Sequence, residues 1–252
     1  MKIKNLSWQE VEELNRSEKI AIVPVGSLEN HGPQNPLGTD FMIPEYLADR
    51  IDSEDVVVFP TIPYGICPHH EDFPGTINLG YDIFYSVIYK ILTGINSHGF
   101  KKILVINGHG GNSPAIDRAA LEINSKKECL IAIIDWWSLA GDLNPKFKGG
   151  HAGGQETSAI LYINKDLVKL DRLFEQKIVK MSDNLNYRNI SALDYKGGTI
   201  KIPKKVSEIV KTGWFGPDDP ADSTYEYGEE MLEMVIDYIK DFLKEFSKIN
   251  GW

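Results

Sequence analysis

Short apolar runs alternate with longer stretches of helical periodicity along most of the chain. Ile20–Val25, Val56–Pro60, Ile103–Ile106 and Leu130–Ile134 are almost unbroken in apolar character, the pattern of strands buried on both faces. Ile43–Ile51, Tyr81–His98, Ser113–Ser125 and Glu156–Ile163 read as helices. Strands that alternate with helices imply a largely parallel sheet, because parallel neighbours need a crossover between them. A long helix is expected from about Tyr225 to Phe246, where Met231, Val235, Ile236, Ile239 and Leu243 share one face and serve core packing. Lys169 to Asp218 follows neither period, and its mixture of Lys, Asn and Gly suits a β-arm or a lid. No repeat, low-complexity tract or linker divides the chain, so a single α/β domain over residues 1–252 is expected.

The polar residues that bear chemistry gather where the apolar runs stop. Directly after Ile20–Val25 comes Gly26-Ser-Leu-Glu-Asn-His-Gly-Pro-Gln-Asn-Pro-Leu-Gly-Thr-Asp40. Glu29 and His31 are two apart, so an extended backbone points both to one side. Gly32, Pro33, Pro36 and Gly38 then turn the chain back to Asp40. Carboxylate oxygen with imidazole nitrogen is the donor mixture of a divalent metal site. The run Lys101–Ile106 ends in Asn107-Gly-His-Gly-Gly-Asn112, and His151-Ala-Gly-Gly-Gln-Glu156-Thr-Ser opens a further helix. Five ligand candidates, Glu29, His31, Asp40, His109 and Glu156, are enough for two metals that share a carboxylate. In α/β sheets the carboxyl ends of the strands are where ligands bind.

Composition narrows the partners. A formal charge of −9 and a pI near 5.2 argue against nucleic acid, whose binding is driven by basic patches. No apolar run is long enough to span a membrane, and the first ten residues lack the apolar core of a signal peptide. Cys67 and Cys129 have no CxxC spacing, which suits a reducing cytoplasm. The glycines of NGHGGN match no phosphate-binding fingerprint, and Gly26-Ser-Leu-Glu-Asn lacks the second glycine of a serine-hydrolase elbow.

The segments GSLENHGPQNPLGTD, HHEDFPGTI, NGHGGN and HAGGQETS, in this order, resemble the creatininase (creatinine amidohydrolase) family. The resemblance runs from about Ile20 to Ser158 and extends less specifically to Gly213-Trp-Phe-Gly216. It implies a three-layer α/β/α fold, a centre of two divalent ions (Zn2+ and/or Mn2+, with Fe2+ also compatible), and hydrolysis of an amide or cyclic amide. By motif, one metal would take Glu29, Asp40 and His109. The second would take His31, Asp40 and Glu156, with Asp40 bridging. His151 matches the catalytic histidine, which handles the substrate's proton. The family also implies a small-molecule substrate and a homo-oligomer, often a hexamer.

This chain departs from creatininase itself at two places. Gly110 and Gly111 stand where that enzyme has a tyrosine and a glutamate, and Phe147 and Lys148 where it has a tryptophan and an aspartate. The first difference leaves Glu156 to complete the second metal's ligands; the second speaks against creatinine as the substrate. Other branches cleave formamides, including that of a formylamino-pyrimidine, or open a ring ketone of an inositol derivative. A non-catalytic binding or assembly protein on the same scaffold is the remaining alternative. His70, Gly110 and Trp136 are expected at the substrate, His69 in a structural hydrogen bond, and His98 at a helix end. Asp135 is expected to orient a ligating histidine.

Overall fold

A computed structural model of the chain describes residues 1–51 and 53–251. Four parallel strands form the main sheet: β1 (Ile20–Val25), β2 (Val56–Val58), β3 (Lys102–Asn107) and β4 (Leu130–Asp135), in the order β2-β1-β3-β4. Alternate residues of the apolar strands face opposite cores. Ile20, Ile22, Leu104 and Ile106 pack with α2 (Thr39–Arg50), α5 (Trp136–Leu143), α6 (Gly154–Asn164) and α8 (Tyr225–Lys248). Ala21, Val23, Ile103 and Val105 pack with α3 (Tyr81–Ser97) and α4 (Ser113–Asn124). Helices on both faces of a parallel sheet make the three-layer α/β/α architecture. Two short helices lie outside the layers, α1 (Trp8–Glu13), begun by a Ser7/Glu10 capping box, and α7 (Val206–Ile209).

The expected strands and long helices are present, with β2 ending at Val58 rather than Pro60. This early end accommodates Pro24, a residue usually excluded from central strands. β1 pairs with β2 only as far as Ile22, and beyond that point the Pro24 carbonyl accepts from Ile62 N at 3.0 Å. Packing rather than propensity holds α8. Burial of Met231, Leu232, Val235, Ile236 and Ile239 stabilises by about 1.5–3 kcal/mol each, against propensity differences below about 0.7 kcal/mol per residue. His98 is the C-cap of α3, as expected.

Within Lys169 to Asp218 a second, antiparallel sheet forms from β5 (Asn186–Asn189), β6 (Ala192–Tyr195) and β7 (Gly198–Lys201). This arm has its own small core, in which Val206, Ile209, Val210 and Phe215 meet Phe73, Tyr187 and Ile190.

One helix begins earlier than its periodicity suggests. α2 starts at Thr39, so Asp40 stands in its first turn rather than in the preceding loop. Pro44 lacks the N–H that would bond the Asp40 carbonyl. Gly26 and Gly108 instead crowd that carbonyl, and a Cβ on either would overlap it. A Gly108→Ala protein is therefore expected to lose about 3 kcal/mol or more of stability, read from its denaturant midpoint. A midpoint equal to that of the parent would show that α2 shifts freely and does not hold Asp40 in place.

Candidate metal centre

Glu29 and His31 follow β1, His70 lies in the loop after β2, and His109 follows β3. Asp40 and Glu156 come from the first turns of α2 and α6. All six meet at the carboxyl edge of the sheet, and His151 joins them from the loop before α6. Asn112 ties three of these loops together: its amide donates to Gly26 O at 3.0 Å and accepts from Ile66 N at 2.9 Å. Gln34 ties the loop after β1 to α6 by donating to Ala152 O at 2.8 Å and Thr157 Oγ1 at 3.2 Å.

Ligand-type atoms converge in two groups of three, Glu29–Asp40–His109 and His31–Asp40–Glu156, with Asp40 in both. His31 Nε2 lies 2.9 Å from Asp40 Oδ1 and 3.6 Å from Glu156 Oε2. His109 Nδ1 lies 2.9 Å from Asp40 Oδ2, and its Nε2 lies 3.2 Å from Glu29 Oε2. Atoms bound to one ion at about 2.1 Å stand roughly 3.0–3.4 Å apart in octahedral or tetrahedral geometry. Yet both Glu29 oxygens, Asp40 Oδ2 and His31 Nε2 are buried without a hydrogen bond. Donor atoms packed this closely, several of them without a well-aligned hydrogen bond, are what an ion requires. The donor set suits Zn2+, Mn2+ or Fe2+. A third group, Glu29–His31–His151, is also close enough to hold an ion.

Backbone carbonyls orient the rings. His31 Nδ1 is 3.1 Å from Glu29 O, and His109 Nε2 is 2.9 Å from Ile66 O. A carbonyl only accepts, so these nitrogens carry the hydrogens, and His31 Nε2 and His109 Nδ1 point to the carboxylates. His151 Nε2 is 2.8 Å from Asn30 O, which leaves Nδ1 facing Glu29 Oε1 at 3.8 Å.

The electrostatics are those of a crowded, buried cluster. Burial pushes the Glu29 and Glu156 carboxyls each up to about 7. Burial also acts to raise Asp40, but the His31 and His109 rings outweigh it and hold Asp40 below the usual carboxylate range. Burial opposes charge on His31 and His109, while the carboxylates beside them raise these rings to about 10 and about 9. His70 is pushed down to about 3, chiefly by burial, and His151 well below its ordinary value for the same reason. Protons on His31 and His109 thus balance the acids, and a divalent ion would displace them.

A cavity of about 340 Å³ opens onto the cluster, lined by Asp40, His70, His109, His151 and Glu156, with Gly110 and Trp137 on one wall and Ile190 and Ser191 of the arm on another. Trp136, expected at the substrate, is instead buried under α8, while Trp137 lines the cavity. Both are in the first turn of α5, where successive side chains diverge by about 100° and only one can face the site. Asp135 acts at one remove: it accepts from Asn107 Nδ2 at 2.7 Å, and Asn107 Oδ1 accepts from His109 N at 3.1 Å. It therefore steadies the His109 backbone rather than the ring. His69 makes its expected structural bond, Nδ1 to Lys204 O at 2.7 Å.

Asp218 was not anticipated. It accepts from Gly150 N at 2.8 Å and Gln155 N at 2.7 Å, and so holds the loop that bears His151 at the start of α6. Phe215 N donates to His151 O at 2.9 Å, which ties Gly213-Trp-Phe-Gly216 to the same loop. A Cβ on Gly111 would overlap the Ile66 carbonyl, so no side chain can enter the cluster there without moving that loop.

Fold and site together describe an α/β/α enzyme whose buried cluster has the composition of a metal site. The chain belongs to the creatininase family, whose model, described as creatinine amidohydrolase, matches residues 4–243; it is an enzyme of this family of metal-dependent amidohydrolases. It is 31% identical over 265 aligned positions to 3-dehydro-scyllo-inosose hydrolase of Thermotoga maritima, with 96% of this chain and 82% of that protein covered. It is 26% identical over 248 positions to mycofactocin precursor peptide peptidase of Mycolicibacterium smegmatis, covering 93% and 88%. Among solved structures, "Creatininase Mn" superposes with a TM-score of 0.78 at 22% identity, covering 98% of this chain and 99% of that one. Among the described residues, no helix is long and apolar enough to cross a membrane.

Proposed function

We propose that this protein is a two-metal amidohydrolase that cleaves a C–N bond of a small amide, formamide or cyclic amide. The observation that carries the reading is the pair of ligand groups sharing Asp40, with four of the converging atoms buried and unbonded. Glu29, Asp40 and His109 would hold one ion and His31, Asp40 and Glu156 the other, as zinc, manganese or iron(II). Such ions would supply Lewis acidity toward the scissile carbonyl and acidify a water to near neutral pH.

The chain's own residues do the rest. Asp40 sets the spacing of the two positions, because one rigid carboxylate belongs to both groups. His151 is held by Asn30 O through Nε2, and its Nδ1 presents a lone pair to the cluster. Its lowered basicity keeps the ring neutral at rest, so that Nδ1 can accept a proton from the attacking water and pass it to the departing nitrogen. Burial of His70 beside Glu29 excludes water from one side of the cluster.

A second reading rests on the relative with 31% identity, whose name is that of a hydrolase of an inosose, a cyclic ketone. Ring opening of a ketone would use the same attack on a carbonyl with carbon, rather than nitrogen, as the leaving atom.

Elemental analysis of protein purified without added metal or chelator, with assays on formamides, lactams, cyclic ureas and cyclic ketones, tests both. About two equivalents of metal per chain, with metal-dependent release of formate, amine or ammonia, is the expected result. A ring-opened carboxylate without nitrogen release would favour the second reading. Absence of metal after reconstitution would overturn both and favour a binding or assembly role.

A further inference from the structure

Resting on the amidohydrolase reading, we infer that His69 and Ser191 form a recognition pair for a hydrogen-bonding group that the substrate carries away from its scissile bond. Both line the cavity, yet neither belongs to the ligand groups. They reach it from separate elements. His69 comes from the loop after β2, and Ser191 from the turn between β5 and β6 of the arm.

The His69 ring is fixed by its Nδ1 contact, at 2.7 Å, with Lys204 O in the segment after β7. Because that carbonyl accepts, Nδ1 carries the hydrogen and neutral imidazole keeps its lone pair on Nε2. No protein group hydrogen-bonds to Nε2 among the described residues. The Ser191 hydroxyl is likewise without a described partner, although its backbone is held by Asn189 Oδ1 at 2.9 Å and by Ile202 N at 2.9 Å. The pair therefore offers one acceptor and one hydroxyl on backbones that are already positioned.

Elsewhere in the lining the unpartnered polar groups lie nearer the ligand groups, such as His70 Nδ1, or on the aromatic wall, such as the Trp137 indole. No Lys or Arg is present in the lining, so beyond the cluster itself a phosphate finds no Lys or Arg to pair with. The Gln155 Nε2 group is engaged, donating to the carbonyls of Trp137 (3.1 Å) and Phe147. Gly110 and Trp137 form a flat wall, with the position of a Gly110 Cβ only 3.6 Å from Trp137 Cζ2. A planar amide or small ring fits against that wall, and its polar substituent then meets His69 and Ser191. An alkyl substituent there would leave both groups unpaired, which costs roughly tenfold or more in binding.

The test uses two neutral formamides of similar size, N-formylglycinamide and N-isobutylformamide, with the metal-loaded protein. Binding is followed by ligand-observed NMR and turnover by formate release. The polar compound is expected to bind at least about tenfold more tightly. His69→Asn retains a donor toward Lys204 O but lacks Nε2. It should lose most of that preference, as should Ser191→Ala, while formamide itself is handled as by the parent. Preference retained in His69→Asn would make His69 only a tether for the arm and overturn the inference, as would failure of both compounds to bind. Preferential binding without formate release would uphold the recognition pair and count against formamide hydrolysis.

Discussion

An Asp40→Ala protein is expected to lose turnover by on the order of 1,000-fold or more, about 4 kcal/mol in transition-state terms, together with most of its bound metal. Asp40 is the one residue common to both ligand groups, so its loss removes a donor from each. Its replacement also takes away the carboxylate that lies 2.9 Å from both His31 Nε2 and His109 Nδ1. Asp40→Asn preserves the volume in the first turn of α2 and separates loss of charge from loss of packing. Metal content by elemental analysis and kcat/KM on the best substrate found give the readout, with circular dichroism as the folding control. Full activity in a folded, metal-analysed Asp40→Ala protein would remove the bridging assignment.

For His151→Ala the expectation differs in kind: metal is retained and kcat falls by roughly 10²–10⁴-fold, the range of general acid–base catalysis. His151 is placed by Asn30 O and Phe215 N, bonds that do not depend on a metal, and its Nδ1 faces the cluster. The neighbouring group Glu29–His31–His151 makes the metal measurement decisive. If His151→Ala loses an ion along with turnover, the ring is a ligand and proton transfer falls to another residue. His70, buried 3.6 Å from Glu29 Oε1, is then next in line.

Much of the cluster was legible because its residue types and spacings are local. Glu29 and His31 are two apart on an extended segment, and His109 follows an apolar run with only glycine between it and the strand end. Strand periodicity placed both at one edge of the sheet. Asp40 was legible as a donor, but its position in a helix was not. The start of α2 depends on the Asp40 carbonyl fitting between Gly26 and Gly108, which are remote in sequence. Trp136 and Trp137 could not be told apart, since adjacent aromatic residues after a strand differ only in which of them the packing of α8 buries. Asp218 was illegible for a similar reason. An acid in a loop has no periodicity, and only the fold brings it to the backbone of Gly150 and Gln155.

From sequence alone, then, came the parallel α/β pattern, the membership suggested by four ordered motifs, and the set of candidate donors, all properties carried by short stretches of chain. The tertiary structure decided which candidate donors face one another, which tryptophan meets the cavity, and which residues of the arm line it. Those depend on contacts between residues far apart in the chain, such as Asn30 with His151, His69 with Lys204 and Phe215 with His151. Such contacts are set by the packing of whole layers, which no local spacing encodes.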